Sequence, residues 1–96
     1  MATLCKKYEC LLIIDGSFCS SIFQNPLDLG ADIVVHSGTK YFGGHSDTLI
    51  GFACMNSDDL YQEVKTFREN MGSSVTEDVC KRTLLSLQTY KIRCLK

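Results

Sequence analysis

Net charge is almost missing from this chain: 10 basic and 11 acidic residues in 96 leave a formal charge of −1. That balance gives no electrostatic case for nucleic acid or an anionic membrane surface, so neither is expected as a partner. No apolar stretch approaches the ~20 residues that cross a bilayer. The first ten residues carry Lys6, Lys7 and Glu9 and lack the apolar core of a signal peptide, which makes a cytoplasmic location the expectation. Close cysteine spacing is missing as well. The six cysteines stand at 5, 10, 19, 54, 80 and 94 with no Cys-x-x-Cys pair, so neither a metal site nor a disulfide framework is expected, and free, mostly buried thiols are. No repeat, linker or low-complexity segment interrupts the chain.

What the chain does contain is a series of short strand and helix signals. Ala2 to Glu9 suits the last turns of a helix, Leu11 to Asp15 a buried strand ending on a carboxylate, and Phe18 to Phe23 a loop. Asn25 can cap and Pro26 is tolerated at a first helical position, so Pro26 to Leu29 reads as one short turn ended by Gly30. Asp32 to His36 is a second strand and Thr48 to Met55 a third. Ser57 caps a helix with Asp58 and Asp59 favourably placed in its first turn. Leu60, Val64, Phe67 and Met71 recur at helical spacing as its core stripe, and Gly72 ends it. Thr76 is expected to cap a further helix through about Tyr90.

One segment carries chemistry. In Val35-His36-Ser37-Gly38-Thr39-Lys40-Tyr41-Phe42-Gly43-Gly44-His45-Ser46-Asp47, a single amine is flanked by the hydroxyls of Ser37 and Thr39 and by Gly38, Gly43 and Gly44. A lysine amine forms a Schiff base with the aldehyde of pyridoxal phosphate, and a carboxylate keeps the pyridine nitrogen protonated so that the ring accepts electrons. Asp15 is the candidate carboxylate, its charged form favoured beside a cationic ring. Ser37 and Thr39, with backbone N–H groups freed where Gly38 permits an unusual turn, can bind phosphate without a P-loop. Each residue also has a plainer reading. Lys40 could be a surface charge, Asp15 could cap a turn, and Ser37 and Thr39 could be ordinary turn hydroxyls. His36 and His45 read as hydrogen-bonded structural residues, and Tyr41 as a packing residue.

Three stretches, Ile14-Asp15-Gly16-Ser17-Phe18, Gln24 to Tyr41, and Gly44-His45-Ser46-Asp47, closely resemble the Cys/Met-metabolism family of pyridoxal-phosphate enzymes. That family includes cystathionine gamma-synthases, cystathionine gamma- and beta-lyases, and methionine gamma-lyases. The resemblance runs from Ala2 to Arg93 and is densest from Gln24 to Asp47. It implies an α/β fold, a partial large domain of the fold-type I (aspartate aminotransferase-like) pyridoxal-phosphate transferases. It also implies that Lys40 is the Schiff-base lysine, Asp15 the partner of the pyridine nitrogen, Ser37 and Thr39 the phosphate ligands, and Ser17 a hydroxyl close to the cofactor. The implied activity is trans-sulfuration, as in a carbon–sulfur lyase such as cystathionine gamma-lyase, on cystathionine or a related sulfur amino acid, in a homo-oligomer. Two departures stand out. Asp15-Gly16-Ser17-Phe18 replaces the usual Asp-Asn-Thr-Phe and loses a side-chain amide. Leu84-Leu85-Ser86-Leu87-Gln88-Thr89 stands where an Arg-Gly-Leu-x-Thr pattern is usual.

Family members are several times longer, so residues 1–96 are expected to form an incomplete cofactor-binding large domain without the C-terminal domain. A chain of this size buries about 60–65% of its unfolded surface, and strands cut from a doubly covered sheet would keep unpaired edges. Two alternatives therefore stand beside the enzyme reading: a truncated, catalytically inactive fragment, and a non-catalytic cofactor-binding module.

Overall fold

The computed structural model describes residues 1–96, and one short central strand organises them. Ile33–Ser37 (β2) opens with three β-branched residues, which suit a pleated surface covered from both faces. It pairs in parallel with Ile13–Asp15 (β1), register Ile13↔Ile33, Ile14↔Val34 and Asp15↔Val35. On its other side it pairs antiparallel with Gly51–Cys54 (β3), register Val34↔Cys54, Val35↔Ala53, His36↔Phe52 and Ser37↔Gly51. With the order β1-β2-β3, only β2 has two neighbours, and it holds the deepest side chain, Val34, which is 1% exposed. The Asp32 carboxylate fixes where pairing begins by accepting the Leu12 N–H at 2.7 Å, while the Leu12 carbonyl accepts from Asp32 N–H at 2.9 Å.

The helices differ from expectation mainly at their ends. Ala2–Lys7 (α1) stops two residues before Glu9, which takes a φ of 51° that a helix cannot continue. The segment expected as a loop contains one helical turn, Ser20–Phe23 (α2), with the Ser20 hydroxyl accepting from Ile22 N–H at 3.3 Å. Residues 26–30 form the expected turn, closed by Leu29 N–H to Pro26 O at 3.1 Å, with Gly30 at φ 94°. Asp58–Asn70 (α3) is capped by the Ser57 hydroxyl, which accepts from Leu60 N–H at 3.3 Å. The helix expected from Thr76 through about Tyr90 is Glu77–Leu87 (α4), and a further short helix not expected from sequence, Tyr90–Cys94 (α5), follows it. Thr76 occupies the cap position without a side-chain cap bond. The break comes at Thr89, whose hydroxyl donates to Ser86 O at 3.2 Å, a local bond that competes with the helical ladder.

Burial is sparser than the pattern implies. The strand expected to be buried, β1, lies at a sheet edge, with Leu11 and Ile13 exposed. The α3 stripe is half-buried at Leu60 and Val64 but exposed at Phe67 and Met71, and no α3 residue is buried. A groove of about 500 Å³ separates α3 from the β2–β3 face and is lined by Tyr61, Val64, Lys65 and Arg68 of the helix, while Phe67 and Met71 lie outside it. Four of the six free thiols, Cys10, Cys19, Cys54 and Cys80, are exposed, and Cys5 and Cys94 are half-buried. The expected burial fails because the molecule is thin, 41 × 36 × 18 Å. Its radius of gyration is 14.6 Å, against about 13 Å for a compact chain of this length. No helix is long and apolar enough to cross a membrane, and no group of three or more His, Cys, Asp or Glu is placed to hold a metal ion.

The tightest packing lies where the sheet meets α5. Phe42 stacks on Tyr90 (ring centroids 4.6 Å apart, planes 13°), tilts against Phe52 at 5.1 Å, and meets the His36 ring edge-on at 5.3 Å. The Tyr90 hydroxyl then accepts from Ser21 N–H at 3.2 Å, tying in α2. Replacing Phe42 by Ala should cost about 3 kcal/mol, while Phe67→Ala, on the open face of α3, should change stability by less than about 0.5 kcal/mol. Urea denaturation of both variants checks this, with Phe42→Ala shifting the midpoint and Phe67→Ala leaving it in place.

Candidate functional site

Parallel pairing of β1 and β2 brings their carboxyl ends side by side, the usual place for a ligand on a sheet of this kind. Asp15 is the last residue of β1 and Ser37 the last of β2. Just beyond, Gly16 N–H donates to Val35 O at 2.8 Å, and Ser37 N–H donates to the Ser17 hydroxyl at 2.7 Å. The Ser17 oxygen thus prolongs the ladder while its own proton stays available to another acceptor. One Asp15 oxygen accepts from Ser17 N–H at 2.9 Å. The Ser17 hydroxyl first, its N–H second and the nearby His36 least hold the Asp15 carboxyl below its ordinary 3.8, against a small opposing effect of burial. Asp15 is therefore ionised at neutral pH.

The lysine rides on a wide turn, residues 38–42, that follows β2 directly. Gly43 N–H reaches back five residues to Gly38 O at 2.6 Å, and Gly44 N–H bonds Lys40 O at 2.7 Å. Lys40 itself is non-helical, at φ −80° and ψ −108°. Gly38 is obligatory here, since a Cβ would meet Ile50 Cγ2 and lie 2.7 Å from Phe52 Cε2. The turn sets Lys40, exposed, into a cleft of about 740 Å³ lined by Asp15, Ser17, Phe18, Ser37, Lys40, Tyr41, Gly44 and Arg93.

Four of the five residues singled out from sequence, Asp15, Ser17, Ser37 and Lys40, thus share one cleft. Thr39 is half-buried and does not line it. Tyr41 lines the cleft and is 44% exposed, where packing was expected. Arg93 was not foreseen: its guanidinium donates to Tyr41 O at 2.6 Å and to Phe42 O at 3.2 Å. A lone arginine near the chain end gives no signal of this beyond its helical spacing from Thr89 and Ser86, which it also contacts.

The two histidines part company. His45 is hydrogen-bonded as expected, Nδ1 to Gly43 O at 2.6 Å and to the Ser86 hydroxyl at 3.3 Å. His36 is buried, yet its Nδ1 has no hydrogen-bond partner, so its role is packing. The ring packs directly on Gly16: a Cβ there would lie 2.6 Å from His36 Cε1 and 3.1 Å from His36 Nδ1. The imidazole occupies the space that a side chain at this position would need.

The sequence profile of one family, described as Cys/Met metabolism PLP-dependent enzyme, matches residues 1–96. The chain belongs to that family, whose cofactor is pyridoxal phosphate. It is 45% identical over 82 residues to a cystathionine gamma-lyase of Dictyostelium discoideum, covering 85% of this chain and 21% of that protein. It is 34% identical over 93 residues to a cystathionine gamma-synthase of Haemophilus influenzae, covering 97% and 25% respectively. The crystal structure of a cystathionine gamma-lyase from Lactobacillus plantarum complexed with L-serine matches with a TM-score of 0.92 at 33% identity, over 95% of this chain and 24% of that one. The expected α/β fold is therefore that of the pyridoxal-phosphate lyases and synthases. The chain spans about a quarter of the length of these relatives.

The Asp15–Ser17 contact makes a signed prediction. A carboxyl whose pKa is depressed by folding adds stability above its ordinary value and loses it as pH falls through the folded value. Ser17→Ala removes the largest cause of the depression, so the Asp15 midpoint should rise toward 3.8 in a carbon-13 carboxyl titration. An unchanged midpoint would show that the hydroxyl is not what holds the carboxylate.

Proposed function

We propose that this member of the Cys/Met-metabolism family forms part of the cofactor site of a carbon–sulfur lyase or synthase of sulfur amino-acid metabolism, with Lys40 as the residue that bonds the cofactor. The observation that carries the reading is the gathering of Lys40, Asp15, Ser17 and Ser37 on one cleft. An amine, a carboxylate held in its charged form and hydroxyls at two adjacent strand ends are a donor set that fits pyridoxal phosphate. The cofactor supplies an aldehyde for the amine and a ring that takes up electrons from the carbon bearing the substrate amino group.

The chain's own residues divide the remaining work. Asp15 holds a proton on the ring nitrogen by remaining negative. Ser17 keeps Asp15 aimed and charged, its hydroxyl proton serving the carboxylate while its oxygen accepts from Ser37 N–H. Ser37 and Thr39 are the proposed phosphate donors, Ser37 from the cleft wall and Thr39 from the residue before Lys40. Lys40 Nζ, once released, takes the proton from the carbon bearing the substrate amine. Cystathionine or a related sulfur amino acid is the proposed substrate, and the cytoplasm the proposed location. Residues 1–96 are read as an incomplete cofactor-binding large domain. Exposed apolar side chains such as Phe18 (92%) and Leu49 (86%) favour a homo-oligomeric working form.

A second reading is that this chain alone holds the cofactor without turnover. Arg93 is the only cation of the cleft other than Lys40, and four of its five N–H groups are taken by protein oxygens, which rules out a two-pronged grip on a substrate carboxylate. Incubation with pyridoxal phosphate, borohydride reduction and peptide mapping test the core claim. Label concentrated on Lys40 and lost in Lys40→Ala is the expected result, and label scattered over the lysines would refute it. Elimination of cystathionine, assayed on cofactor-loaded chain before reduction, then separates the enzyme from the binding module.

A further inference from the structure

The amine of Lys40 is placed only as well as the turn that carries it. Beyond the two backbone bonds that close the turn, its exit is gripped by Arg93. Nη1 donates to Tyr41 O at 2.6 Å and Nη2 to Phe42 O at 3.2 Å. From the other side Thr89 Oγ1 accepts from Nε at 3.0 Å and Ser86 O accepts from Nη2 at 2.9 Å. A guanidinium offers five N–H donors in a rigid planar fork, and these bonds engage all three of its nitrogens. Although Arg93 lines the cleft, four of its five donors are spent on the protein, two on the turn and two on the helix corner. Gly44 makes the approach possible: it sits at φ 72°, and a Cβ there would run into Arg93 Nη1 and lie 2.6 Å from Cζ.

We propose that Arg93 is the positioning residue of the Lys40 turn, tying the two carbonyls after the lysine to the corner between α4 and α5 and so fixing where Nζ enters the cleft. The inference rests on the reading of Lys40 as the cofactor-bonding residue for its functional meaning, but the clamp itself is tested without cofactor. Lysine is no substitute, because a point-like ammonium cannot span two carbonyls on one side and a hydroxyl and a carbonyl on the other.

Amide hydrogen exchange on the full chain, read at Gly43 and Gly44 against Val64 and Lys65 in α3, compares the wild type with Arg93→Ala, Arg93→Lys and the control Lys91→Ala. Both Arg93 variants should exchange about tenfold faster at Gly43 and Gly44 with α3 unchanged, and Lys91→Ala should match the wild type. Wild-type rates at Gly43 and Gly44 in either Arg93 variant overturn the proposal. Uniform loss of protection in both variants overturns it too, because Arg93 would then support the whole fold rather than the turn. Pyridoxal phosphate with borohydride is the second readout: the share of label on Lys40 should fall in both Arg93 variants. A wild type that fails to label Lys40 refutes the role of the lysine, while the exchange rates still decide the role of Arg93.

Discussion

Phe42 is the common neighbour of nearly everything that shapes this molecule. Its ring touches His36 of β2, Phe52 of β3 and Tyr90 of α5, and Tyr90 in turn reaches α2 through Ser21. Aromatic pairs of this kind contribute about 0.5–1.5 kcal/mol each beyond the area they bury, which is a large share of the about 5–15 kcal/mol that separates folded from unfolded domains. Few other contacts compete, since the buried hydrophobic core is Ile33, Val34 and Tyr90 alone. Phe42 is also the last residue of the turn that presents Lys40. The same ring that joins sheet to helices therefore anchors the lysine from behind, while Arg93 holds the turn from the cleft side.

What could be read from sequence was set by local signals. The β-branched run at Ile33 to Val35 and the Ser57 cap reappear as β2 and α3 because strand propensity and capping act over a few residues. The stop near Thr89 was read to within a few residues, but the short helix Tyr90–Cys94 after it was not, because five residues are too few to show a period. Burial was the least legible property. Periodicity marks the apolar face of β1 or α3 but does not say what covers it, and here Ile13, Phe67 and Met71 remain open. The thiols follow the same logic: cysteine is commonly buried, yet a slab 18 Å thick leaves little interior to receive it.

The cleft was more legible than the core. Two parallel strand ends pair Asp15 with Val35 and so bring Ser37, two residues on, to the same cleft, and the turn packed through Gly38 against Ile50 and Phe52 carries Lys40 into it. Arg93 was not legible, because it comes from the far end of the chain and acts through backbone carbonyls, which leave no mark on the sequence. Nor was the meaning of Gly16. A Cβ there would meet the His36 ring, whose buried Nδ1 has no partner. Such an orphaned buried nitrogen is expensive, and only the structure, not the glycine in the sequence, shows that the two meet.

The central claim is that Asp15 and Lys40 serve one bound cofactor. The most direct measurement is the carbon-13 titration of the Asp15 carboxyl in the chain carrying pyridoxal phosphate fixed to Lys40 by borohydride, set against the free chain. A protonated ring nitrogen beside the carboxylate stabilises its charge, so the account predicts a midpoint lower still than the depressed value of the free chain. A midpoint unmoved by the fixed cofactor would contradict it, since the carboxylate and the lysine would then share a cleft without sharing a ligand.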